Sequence, residues 1–77
     1  MEFGWWSKDD EGRKYQICAE LFGRDVLWRH QLARFQPWES HEPTDADWDR
    51  LIAEAGRRVP RRLLSPKQFD LIKSQRP

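Results

Sequence analysis

Four arginines within six residues, Arg57, Arg58, Arg61 and Arg62, are the densest run of chemically committed side chains in the sequence. Guanidinium forks match phosphate and carboxylate oxygens two at a time, so the cluster suits nucleic-acid phosphate or an acidic partner. It also falls where a helix is expected to end, and there the helix dipole stabilises positive charge without any partner. Asp47 and Glu54 stand three and four residues before Arg50 and Arg58, a spacing that permits pairing within the helix. With a net charge of +1, the chain as a whole has little long-range attraction for a polyanion.

Other chemistry is sparse. Cys18, His30 and His41 are the only soft metal ligands, and none has a close partner at the spacing of a zinc site. Cys18 lies in an alternating run and reads as a quiet strand position, while His30 and His41 read as surface or edge residues. Asp45, Asp47 and Asp49 copy the first three ligand positions of a calcium loop. Arg50, however, stands where that loop needs Gly, and Gly56 where it needs a bidentate Glu. The three acids suit the positive end of a helix instead. No Gly-rich phosphate loop, serine elbow or paired carboxylates occur, and a chain of 77 residues leaves little volume for a substrate pocket. The sequence therefore predicts no catalytic residue, no metal site and no cofactor.

The elements that must position these groups are clearest in the last third. Thr44 is placed to cap a helix over residues 44–59, with Trp48, Leu51, Ile52, Ala55 and Val59 recurring on one face. Gly56, or Val59 before Pro60, ends it. Ser65, Pro66 and Gln68 open a second helix over 65–75, where Leu64 and Phe69 form a hydrophobic staple. Upstream, Tyr15, Ile17, Ala19 and Leu21 alternate with polar residues, the period of a half-buried strand. Asp9-Asp10-Glu11-Gly12 and Gly23-Arg24-Asp25 supply turns on either side. The pattern predicts an α+β fold, a β-meander over 1–35, a crossing loop or short edge strand over 36–43, then two helices. The rival is an all-α chain, since Tyr15, Ala19, Phe22, Val26 and Ala33 also fit helical spacing. Ala19 to Gly23 followed by Leu32 even outlines a helix-turn-helix, although Arg24 and Arg29 stand where that motif buries apolar side chains.

Gly4-Trp5-Trp6, Gly12-Arg13-Lys14-Tyr15 and Trp28 together resemble the WW-domain pattern, in which two Trp flank a three-stranded meander and Gly-Arg-x-Tyr opens its middle strand. The resemblance covers residues 4–28. No Asn-His follows the Tyr strand and no Pro stands three residues after Trp28, where His30 and Gln31 lead on to Leu32, so it implies the meander but not the binding of proline-rich ligands.

Composition bounds the rest. Five Trp, four Phe and one Tyr supply the core of a small single domain, expected from Trp5, Trp6, Tyr15, Phe22, Trp28, Trp48 and Phe69. A lone cysteine forms no internal disulfide, and no apolar stretch has the length of a signal peptide or membrane span, so a soluble cytoplasmic protein is expected. Residues 36–50 carry a charge of −4 and residues 51–77 one of +5. The function expected is a small non-catalytic interaction module whose partner is another protein, with no membrane. The alternative is a nucleic-acid-binding domain using Arg57, Arg58, Arg61 and Arg62.

Overall fold

The computed structural model describes all 77 residues. Strands β1 (Glu2–Lys8), β2 (Lys14–Phe22) and β3 (Asp25–Gln31) form an antiparallel meander, and β4 (Glu39–Ser40) adds a short fourth strand beside β3. Helices α1 (Asp45–Arg58) and α2 (Pro66–Gln75) follow and pack on one face of the sheet. The architecture is α+β. The extended backbone of β2 and β3 overturns both the all-α rival and the helix-turn-helix outline.

Local chemistry accounts for the turns and caps. Asp9 Oδ1 accepts hydrogen bonds from the backbone N–H groups of Glu11 and Arg13, and Gly12 takes the left-handed conformation at φ 80°. In α1, Thr44 Oγ1 accepts from the Asp47 N–H, while Asp47 Oδ2 accepts from the Thr44 N–H at 2.9 Å. Ser65 and Gln68 repeat this reciprocal box at the start of α2. The first helix runs through Gly56 and stops before Pro60, as a missing N–H requires.

Register explains the packing. Phe3, Ala19 and Trp28 lie in one cross-strand row, a small residue between two large ones, and Trp5, Ile17 and His30 lie in the next. Trp28 meets Trp5 edge-on at 5.9 Å between ring centroids and Trp48 at 5.2 Å. Leu51, Ala55, Leu64 and Ile72 complete the buried cluster from the helical side. The indole N–H groups of Trp28 and Trp48 are buried without an acceptor. Each such orphan costs about 1–3 kcal/mol, which the burial of the rings must offset.

One expectation about this layer is corrected. Trp6 and Phe22 are not core residues: they are 57% and 67% exposed. Side chains alternate along a strand, so burying Trp5 and Leu21 turns their neighbours to the opposite face. Phe3, 2% exposed, fills the core instead, and Tyr15 and Phe69 line its margin. The crossing segment 36–43 takes the short-edge-strand form through β4. Pairing of Arg29 with Ser40 and His30 with Glu39, plus the His41 N–H donating to the Trp28 carbonyl, satisfies part of the β3 edge. No helix is long and apolar enough to cross a membrane.

The central place of Trp48 has a measurable consequence. Trp48→Ala is expected to cost about 3–5 kcal/mol in urea denaturation, enough to leave so small a domain largely unfolded. A loss under about 1 kcal/mol would contradict this packing.

Candidate functional site

The helices cover one face of the sheet, and the other carries a band of large apolar side chains. Trp6, Phe22, Leu27 and Trp38 are between 42% and 67% exposed. Trp6 comes from β1, Phe22 from the end of β2 and Leu27 from β3. Trp38 precedes β4 and shares a recess with Glu2, Cys18 and Arg29. A longer groove of about 620 Å³ runs past Phe22, Leu27 and Trp38 along the β3 edge. Four large apolar groups on one face exceed the scattered exposure that any folded surface shows.

Charge on this face is internally balanced. Arg29 Nη2 donates to Glu20 at 3.0 Å and stands 3.9 Å from Glu2. Cys18 lies beneath them. Desolvation pushes its thiol up from the ordinary value and the Glu2 carboxylate adds to that, while Arg29 opposes it. The thiol therefore ionises less readily to the nucleophilic thiolate than an exposed cysteine does.

At the margin of the core a second arrangement departs from the sequence reading. His30 and His41 are not surface residues. Their Nδ1 atoms lie 3.2 Å apart, and His41 Nε2 is 2.8 Å from Asp47 Oδ2. Asp47 is 6% exposed, so the acid that caps α1 also anchors a histidine. His30 Nε2 lies 3.4 Å from Glu39. Sequence spacing missed this group because β3 and β4 must pair before the two rings meet. The one usable signal was Asp47 itself, three residues after the cap Thr44.

Of the four clustered arginines, three share a groove and several make contacts within the chain. Arg57 donates to Glu54 at 2.9 Å, a carboxylate that also takes Arg50 at 3.0 Å. Arg58 donates to the Glu2 carbonyl and lays its guanidinium 4.1 Å over the Phe3 ring. Arg62 sits at φ 59°, with its N–H bonded to the Val59 carbonyl and the Leu63 N–H to that of Arg58, a left-handed helix closure that glycine usually makes. Arg57, Arg58 and Arg61 line a shallow groove with Glu54, and Arg62 lies outside it. Asp49, expected only to serve the helix dipole, pairs with Arg76 beyond α2.

No known protein family, curated protein or solved structure matches the chain.

The environment of Cys18 fixes a pH dependence. Because its folded-state pKa is raised, the contribution to stability is present below the ordinary thiol range and lost as pH rises through it. Cys18→Ala is expected to flatten the alkaline fall in urea-denaturation stability. Iodoacetamide is expected to alkylate Cys18 more slowly in the folded chain than in urea, and equal rates would contradict the assignment.

Proposed function

We propose that this chain is a small non-catalytic interaction module that docks another protein on the open face of its sheet. The observation that carries this reading is the exposure of Trp6, Phe22, Leu27 and Trp38 together on a face that no helix covers. Tryptophan at the centre of a desolvated patch is a frequent source of binding energy, and a polar pair such as Glu20–Arg29 gives such a patch orientation. The chemistry of the face favours protein over nucleic acid. Glu2 and Glu20 already neutralise Arg29, leaving no surplus positive charge to release counterions from phosphate. The arginine cluster supports the nucleic-acid alternative less well, because Arg57 and Arg58 are engaged within the chain and Arg62 closes a helix.

A photo-crosslinking amino acid at Leu27 or Phe22 tests the reading in the native cell, with the same group at Arg61 as the comparison. Discrete protein adducts are expected from the two sheet positions. They should fall at least about tenfold when Trp6 or Trp38 is replaced by Ala, changes that cost the folded chain no more than about 1 kcal/mol. Adducts to nucleic acid, or adducts from Arg61 alone, would overturn the proposal. A dimer in sedimentation that Trp38→Ala dissolves would assign the face to a second copy instead.

A further inference from the structure

His30 and His41 approach each other through the same ring atom, with their Nδ1 nitrogens 3.2 Å apart. On the far side of each ring, Nε2 faces a carboxylate: Asp47 at 2.8 Å from His41 and Glu39 at 3.4 Å from His30. An ionised carboxylate only accepts hydrogen bonds, so His41 carries its ring hydrogen on the Nε2 that faces Asp47 and presents a free Nδ1 lone pair toward His30. When His30 carries its hydrogen on Nε2, toward Glu39, the two Nδ1 atoms are both acceptors 3.2 Å apart, a spacing at which one cation can take both lone pairs.

The dimensions suit a metal ion. With imidazole–metal bonds of about 2.0–2.1 Å, nitrogens 3.2 Å apart subtend about 100° at the ion, near the tetrahedral angle. Metal-bound histidines nearly always donate the opposite ring N–H to a carboxylate, and His41 does so to Asp47 while Glu39 stands 3.4 Å from His30. Asp47 is itself held by the Thr44 N–H at 2.9 Å, so this outer support is rigid. We propose that His30 and His41 form a two-histidine site for a divalent late-transition-metal ion, Zn(II) foremost, bound through both Nδ1 atoms. No three His, Cys, Asp or Glu side chains converge as a closed set. The ion would therefore keep open positions, and both rings border a cavity of about 250 Å³ shared with Tyr15 and Asp9 that admits water or a ligand donor. This site lies at the β3 edge, where His41 and Glu39 also border the groove that runs past Phe22, Leu27 and Trp38.

Zinc chloride titrated into the full chain, followed by long-range ¹H–¹⁵N spectra of the imidazoles, tests the proposal. One ion per chain is expected to saturate, moving the Nδ1 signals of both histidines while both Nε2–H signals persist. Cu(II) at the same site should quench the fluorescence of Trp28, whose ring lies 6.1 Å from that of His41. His30→Gln should abolish saturable binding, and Asp47→Asn should weaken it about 10–100-fold. Thr44→Ala, which weakens the same helix cap without touching the rings, should leave zinc affinity within about twofold, as expected for a group outside the coordination shell. No saturation at millimolar zinc, or shifts at Nε2 or at carboxylates elsewhere, would overturn the site. If the variants fail to fold, the wild-type spectra alone decide.

Discussion

Trp28 is held edge-on between Trp5 from the neighbouring hairpin and Trp48 from the first helix, and the remaining structure is arranged around that stack. The stack requires Ala19 between Phe3 and Trp28, because a larger side chain in that row would push the strands' inner faces apart. It also requires α1 to begin where it does, since Trp48 lies in its first turn and a shift of one residue would rotate the ring by about 100°. The two reciprocal capping boxes supply that precision. The same constraint produces the open face. Once Phe3, Trp5, Ile17, Ala19, Leu21 and Trp28 are committed inward, the two-residue period of a strand leaves Trp6, Phe22 and Leu27 outward. Core and docking surface are two readings of one alternation.

A polar seam closes the edge of this apolar layer. The ring of Trp28 also touches that of His41, and from there the chain of groups runs through Asp47 into the cap of α1. Asp47 serves two backbone and side-chain donors at once, which lets a carboxylate lie almost wholly buried. The seam joins the last strand to the first helix across the four residues 41–44 that connect them.

Much of this was legible in the sequence, for reasons that are local. The Tyr15–Leu21 alternation, the turn chemistry at Asp9 and Gly12, and the capping residues Thr44 and Ser65 act within a few residues, and the structure places strands and helices on them. What was not legible depends on pairing across distance. Trp5 and Trp6 are adjacent and chemically identical, so only the register of β1 against β2 decides which is buried. β4 has two residues, too few for any periodicity, and without it His30 and His41 give no sign of meeting. The arginine run looked like a single patch because residues 57–62 are contiguous. The helix end keeps Arg57, Arg58 and Arg61 on one groove but turns the Arg58 guanidinium onto Phe3 and places Arg62 in the closing turn.

The contact of Arg58 with the Glu2 carbonyl and the Phe3 ring spans 56 residues of chain. The strand pairings and the helix pairing are between successive elements, while α2 on β3 and α1 on β1 join elements distant in the chain. Such a topology closes small loops first and pays little chain entropy at each step. Hairpins and capped helices can therefore form on microsecond timescales, and the molecule's search is short for a sheet protein. The distant closures, α1 onto β1 and α2 onto β3, need these local pieces first. The contact of Arg58 with Phe3 is thus expected to slow unfolding more than it speeds folding.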